Sequence, residues 1–363
     1  MYKVIIFGTG VSSQRVVDSL NDNCIVVAFL DNDCKKWSES EAIPIIPPIK
    51  LKNMKYDYII IASQYNDEIY EQLIKLKVER NKILQLYKLV DYEINYISNA
   101  INKFLESKEK FEAIATGISY CNLGLKEDVF KKKCMKLTFG SQDLYYDYHL
   151  IKYFLDNYKE KMNTIKTIII GLSYYSFQYD LSLSAMKNKV MLYYNAIGLC
   201  HNNYAIENLN VEREININIA NNIFTKNEKG EYIIKRKKVT IENNSIKAKD
   251  GYNQAIKDCN KNYPETVKEN KIIFEKYINL LLTNNIKPVV VVFPAHISYT
   301  ENFSKRIESE FKEIINEFQN KYNFQYIDYF RSNLFEIDDF FDVSHLNING
   351  STKFTNILNK LIK

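Results

Sequence analysis

Short, unbroken apolar runs separated by polar stretches set the rhythm of the chain's first hundred residues. KVIIFG (3–8), CIVVAFLDND (24–33) and YDYIIIAS (56–63) lack the alternation of a half-exposed strand and are too short for helices. They therefore read as parallel strands buried on both faces, with KILQL (82–86) as a fourth. Between them, Val11, Val16, Val17 and Leu20 form one apolar helix face, and DEIYEQLIKLK is a second amphipathic helix. Strands alternating with helices of this length predict right-handed crossovers and a parallel sheet.

A second series of the same kind follows a charged, helical connection. Its strands are FEAIATG (111–117), CMKLTFG (134–140), KTIIIGLS (166–173), KPVVVVFPA (287–295) and FQYIDYF (324–330). Helices are expected at 142–160, 265–284, 302–321 and 351–362. The domains this predicts are 1–90, a linker helix over 91–110, and 111–363 with an insert at about 185–260. The insert loses the α/β rhythm and is expected to act as a lid, with Tyr193, Tyr194 and Tyr204 suited to sugar rings.

Composition narrows the class. The chain has 363 residues, 49 basic and 44 acidic, for a net charge of +5. Its densest basic run, KRKK at 235–238, is read as a solvated loop face, so no nucleic-acid partner is expected. No apolar run is long enough to span a bilayer, and MYKVIIFGTG is unlike a secretory leader. The six cysteines show no C-x-x-C or zinc-ligand spacing, so no metal site is expected and the thiols read as reduced. These features together predict a cytoplasmic protein.

GTGVSS supplies the first two glycines of G-x-G-x-x-G, Gly8 and Gly10, with Ser13 in place of the third; Asp31 closes the second strand. In a strand–turn–helix setting this pattern suits a phosphate at the helix N-terminus and an acid at ribose hydroxyls. The alternative is glycines that only let helix and strand pack. The stretch FLDND…IPIIPPIKL…YDYIIIAS resembles the N-terminal domain of bacterial sugar N-acetyltransferases. That resemblance implies a half-Rossmann unit over roughly 1–90 holding a UDP-sugar without redox chemistry. A nucleotide, NAD or a UDP-sugar is thus the expected ligand.

In the second series, Ser119 in ATGISYCN sits where a strand should turn into a helix, exposing its hydroxyl at the carboxyl edge of the sheet. Asp342 and His345 in DVSH follow the last strand and should reach the same edge. They could equally mark a helix start, with Asp342 or Ser344 as the cap. The ordered blocks Gly117-Ile118-Ser119, Gly140, Gly171-Leu172-Ser173 and Asp342-x-x-His345 resemble SGNH (GDSL-like) hydrolases. The likeness is to the branch with D-alanyl-transfer proteins of teichoic acid modification and polysaccharide O-acetyltransferases. It implies a three-layer α/β/α flavodoxin-like fold over 111–363, with Ser119 as nucleophile, His345 as base and Asp342 as its orienting acid. The N–H groups of Ser119 and Gly140 would line the oxyanion hole. Ile118 replaces the usual Asp, and Ser173 the usual oxyanion Asn, so Ser173 or Gln142 would have to substitute. His296, after the fourth strand, is a candidate for substrate binding; His149 and His201 are the remaining histidines.

Three functions are compatible with these features. One is acyl transfer or ester hydrolysis on a carbohydrate, modifying a surface-polysaccharide or glycan precursor. Another is a non-catalytic scaffold of glycan assembly with a degenerate hydrolase domain. The last is a nucleotide-dependent oxidoreductase working through the N-terminal glycine loop.

Overall fold

The alternating pattern folds into two five-stranded parallel sheets in a computed structural model of the chain. The structure describes residues 1–363 apart from 39, 41, 94, 204–205, 229–231, 235–247 and 363. The basic run at 235–238 and Tyr204 therefore lie outside the described residues. The chain divides into two units: Met1–Tyr96 with Ala185–Asn195 and Cys200–Val239, and Ile97–Ser184 with Ala196–Leu199 and Thr240–Lys363.

In the first unit, β1 (Tyr2–Phe7), β2 (Cys24–Leu30), β3 (Ile45–Ile46), β4 (Tyr58–Ile61) and β5 (Ile83–Gln85) lie in the order β3-β2-β1-β4-β5. Alternate side chains of each strand leave on opposite faces. Val4, Ile6 and Ile60 join one core, while Ile5, Phe7, Ile59 and Ile61 join the other. Both sets are buried, which is why these strands read as unbroken apolar runs rather than as alternating ones. The two-residue β3 was not expected, because Pro44, Pro47 and Pro48 crowd it and leave no strand-length run.

The second unit holds β6 (Ala113–Gly117), β7 (Cys134–Thr138), β8 (Thr167–Leu172), β9 (Lys287–Val292) and β10 (Gln325–Asp328), in the order β10-β9-β8-β6-β7. Counted from its own first strand this is 2-1-3-4-5, the flavodoxin-like order. Crossovers of one hand place helices Leu144–Asn157, Pro264–Thr283 and Lys305–Lys321 on one face. Phe274 packs edge-on to Phe318 within that layer, at 5.2 Å between ring centroids. The Ser119–Gly124 and Ile348–Leu361 helices pack together on the other face.

The insert divides in a way the sequence did not reveal. Helix Ile206–Ile223 buries Ile219, Ala220 and Ile223 in the core formed by β1, β4 and β5, closing one face of the first sheet. Asn216 accepts the Gln85 N–H at 2.6 Å, and Lys88 pairs with Glu212 at 2.5 Å, fixing the helix in register. Tyr193, expected on a sugar-binding lid, is a core residue at 1% exposure. Ala196–Leu199 and the later part of the insert, with helix Ala248–Cys259, belong to the second unit. The expected linker helix is two helices, Leu86–Glu93 and Tyr96–Glu106. Among the described residues, no helix is long and apolar enough to cross a membrane.

Candidate active site

Strand β6 ends at Gly117 with φ +127, and a Cβ there would lie 2.2 Å from the carbonyl oxygen of Gly171 on β8. No other residue fits: the conformation is left-handed and the neighbouring backbone is already in the way. The chain passes through extended Ile118 into the helix that Ser119 begins. Strands β6 and β8 are also where the strand order reverses, and the crevice outside that point is where open α/β sheets bind ligands.

The Ser119 hydroxyl lies 2.8 Å from His345 Nε2. On the other side of the ring, His345 Nδ1 lies 2.9 Å and 3.0 Å from the two Asp342 carboxylate oxygens. A proton on Nδ1 leaves Nε2 as the acceptor for the serine hydroxyl. Asp342 also accepts the N–H groups of Ser344 at 2.8 Å and His345 at 2.9 Å, so the carboxylate holds both the ring and the loop that carries it. Burial pushes the Asp342 carboxyl up, but His345 and the Ser344 donors outweigh it and hold it below the usual carboxylate value. Neither Asp342 nor Ser344 caps the last helix. That role falls to Asn347, whose side chain accepts from the N–H groups of Asn349 and Gly350.

The remaining expected residues have mixed placements. Ser173 directly follows β8 and donates its backbone N–H to Ser176 Oγ at 2.9 Å. Gly140 lies in the turn after β7, beside Ser141 at φ +70, and the preceding Phe139 N–H bonds the Gly117 carbonyl at 3.2 Å. Gln142 is 2% exposed and donates its amide to the Leu137 carbonyl and to Asp147 Oδ1, so its nitrogen is committed to the fold. His296 donates its backbone N–H to the Val343 carbonyl at 3.0 Å, tying the end of β9 to the Asp342–His345 loop. Partial burial lowers the pKa of the His296 imidazole, and its Nδ1 meets Ser298 Oγ at 2.8 Å. His149 lies on the Leu144–Asn157 helix with its ring 4.2 Å from that of Tyr145.

Sequence reasoning missed Tyr120, whose ring stacks on His345 at 4.8 Å between centroids and 16° between planes. Its position beside Ser119 was the available signal, but one tyrosine among 28 does not stand out.

The glycine loop of the first unit opens on a different kind of site. A pocket of about 700 Å³ lies outside the carboxyl ends of β1, β2 and β4, with Gly8, Thr9, Gly10, Asp31, Lys36 and Tyr87 in its wall. Gly8, at φ +119, brings the turn close to the Ala62 carbonyl, which a Cβ would meet at 3.1 Å. A Cβ on Gly10 would meet nothing within 4 Å, so the protein's own packing does not require glycine there. Ser13 lies buried beneath the loop, its hydroxyl without a hydrogen-bond partner and 3.3 Å from where a Gly8 Cβ would stand. It therefore fits the helix-packing role of the third glycine, not a ligand contact. Asp31 accepts from Thr9 Oγ1 at 2.6 Å, the Asp33 N–H at 2.9 Å and Lys36 Nζ at 3.0 Å. Burial raises its carboxyl, but these donors prevail and its pKa is lowered. The open side of Gly10 and the first-turn residues Val11 and Ser12 line this pocket together with Asp31, Asp33, Glu68 and Lys36, the last already paired with Asp31.

A family model described as C2185-like, N-terminal, matches residues 1–84, and no curated protein matches the chain.

Proposed function

We propose that the second unit is a serine-dependent acyltransferase or esterase of the SGNH hydrolase kind, acting on a carbohydrate. The observation that carries this reading is the Ser119–His345–Asp342 chain of hydrogen bonds, joining residues 226 positions apart at the sheet's switch point. In the reaction, Ser119 Oγ attacks the acyl carbon as its proton passes to His345 Nε2. The ester C–O bond then breaks, and the leaving alcohol takes that proton, leaving acyl-Ser119. Water, or an acceptor hydroxyl, repeats the step in reverse and frees the serine. Asp342 stays ionised throughout and stabilises the imidazolium.

The two departures from the family pattern bear on rate. Ile118 is 6% exposed and fills the core, so only its neighbour Ser119 meets the crevice. Ser173 stands where an Asn amide would donate to the oxyanion, and losing one such donor costs about 2.7–4 kcal/mol of barrier. A slow enzyme is the expectation, with a surface-polysaccharide or glycan precursor as the acceptor class to which the resemblance points. The test is labelling with a fluorophosphonate followed by mass spectrometry. Modification confined to Ser119 and absent in Ser119→Ala supports the enzyme. A wild-type protein that stays unlabelled hands the site to the scaffold reading.

For the first unit we favour a nucleotide, NAD or UDP-sugar, with its phosphate at the Gly8–Gly10 loop. Such a ligand would be recognised by the loop's amides and by Lys36, and Asp31 would face its ribose only alongside the donors Asp31 already holds.

A further inference from the structure

We infer that Tyr120 is a positioning residue for His345, and that helix Ala248–Cys259 and the residues just after it hold Tyr120 in place through a cluster of buried tyrosines. This rests on the acyl-transfer reading for its consequence, though not for its geometry. The Tyr120 ring lies nearly parallel to the imidazole, 4.8 Å away, on a face that neither Asp342 nor Ser119 occupies. Asp342 and Ser119 bond the two ring nitrogens within the ring plane, so they leave the ring free to rock about the line that joins them. A flat surface stacked on one face removes that freedom.

What fixes Tyr120 is a cluster of buried tyrosines around its hydroxyl. Tyr175 donates its hydroxyl to the Tyr120 hydroxyl at 3.2 Å. Tyr299, an electrostatic neighbour of the Tyr120 hydroxyl, donates to Asp258 Oδ2 at 2.9 Å. Tyr120, Tyr175 and Tyr299 are 9%, 8% and 1% exposed, so each hydroxyl needs a partner, and Asp258 supplies a carboxylate to the cluster. Asp258 sits in the last turn of the Ala248–Cys259 helix, where Gln254 also donates to it at 2.9 Å. Just beyond, the Lys261 ammonium lies 4.7 Å from the centre of the Tyr175 ring. The helix approaches closely enough that a Cβ on Gly251 would lie 2.4 Å from the Ser298 backbone. A part of the chain with no place in the α/β series thus sets the orientation of the base.

The experiment compares wild type with Tyr120→Phe, Tyr120→Leu and Asp258→Ala by proton NMR of the intact chain and by the rate of fluorophosphonate labelling. The NMR signal is the low-field proton shared by His345 Nδ1 and Asp342, assigned by its loss in His345→Gln. Tyr120→Phe keeps the ring but loses the hydroxyl that ties it to its neighbours, so it should broaden the signal and slow labelling only modestly, by about threefold to tenfold. Tyr120→Leu should lose or broaden the signal and slow labelling by roughly tenfold to a hundredfold, the scale of a small misplacement of a reacting group. Asp258→Ala, far from the ring, should give the same change in weaker form and keeps the test decisive if Tyr120→Leu does not fold. A sharp, unshifted signal in both Asp258→Ala and any folded Tyr120→Leu overturns the inference. An unlabelled wild type whose signal still responds as described would instead sink the acyl-transfer reading and leave the positioning role standing.

Discussion

Each unit turns its first strand into a helix with the same device and then spends the next position differently. Gly8 and Gly117 both end a central strand in the left-handed region, at φ +119 and +127. Two residues later stands Gly10 in one unit and Ser119 in the other. At Gly10 a side chain would enter open space in a pocket, whereas Ser119 fills the corresponding place with a hydroxyl aimed at an imidazole. One topology, a parallel sheet with a switch point beside its first strand, thus yields a cradle where the position is vacant and a candidate nucleophile where it is occupied. The comparison also says which glycine serves what. Gly117 answers to the fold, whereas the fold's own packing makes no such demand at Gly10.

The largest effect that would break this comparison lies at the occupied position. Ser119→Ala and His345→Ala should each remove labelling and ester cleavage almost entirely. Their double variant should be hardly worse than either, because groups acting as one unit are not additive. Independent, multiplying losses would mean that the hydrogen bond between them does no chemistry. Next comes Gly117→Ala, which adds a Cβ against the Gly171 carbonyl in a left-handed conformation. It should destabilise the second unit by roughly 3 kcal/mol, measured by chemical denaturation. A change near zero would mean the turn is not held as described.

Gly10→Leu should do the reverse. As a changed helix cap it should cost no more than about 1 kcal/mol of stability. Yet it should abolish any rise in melting temperature that millimolar NAD, UDP or a UDP-sugar gives the wild type. If none of these compounds shifts the wild type, the loop takes none of them and the cradle half of the comparison fails.

The strands were legible because burial on both faces writes itself as an unbroken apolar run, as in KVIIFG and KTIIIGLS. The Ser119, Asp342 and His345 positions were legible because each follows such a run in the right order. What stayed hidden depended on contacts distant in sequence. Ile219, Ala220 and Ile223 lie in a helix of weak amphipathicity rich in Asn, so nothing local said that they would cover the first sheet. Tyr120 could not be told from other tyrosines until folding laid its ring on His345. Gln142 was expected to offer its amide to substrate, but a neighbour five residues on, Asp147, claims it.

That neighbour supplies the smallest expected effect. Asp147 is 1% exposed on the Leu144–Asn157 helix, where it accepts the Gln142 amide at 2.5 Å close to the Gly117 backbone that leads into the Ser119 turn. Burial, with the nearby Asp143 charge, raises its pKa well above the usual carboxylate range despite that donor. The folded state therefore holds this proton more tightly than the unfolded chain, whose aspartates titrate near about 3.9. Its contribution to stability is complete below that value and is lost as pH rises through the folded pKa. Asp342 and Asp31, with lowered pKa values, work in the opposite sense: their contributions are present above the unfolded value and fade as pH falls through the folded one. Asp147→Asn keeps a carbonyl acceptor for the Gln142 amide and removes the ionisable proton. The variant should carry a constant offset at low pH, set by how well its extra N–H is accommodated. Its melting temperature should then gain steadily on the wild type as pH rises. Scanning calorimetry of both proteins from acid to mildly alkaline pH reads this directly, and parallel profiles would show that Asp147 ionises in place without cost to the turn that carries Ser119.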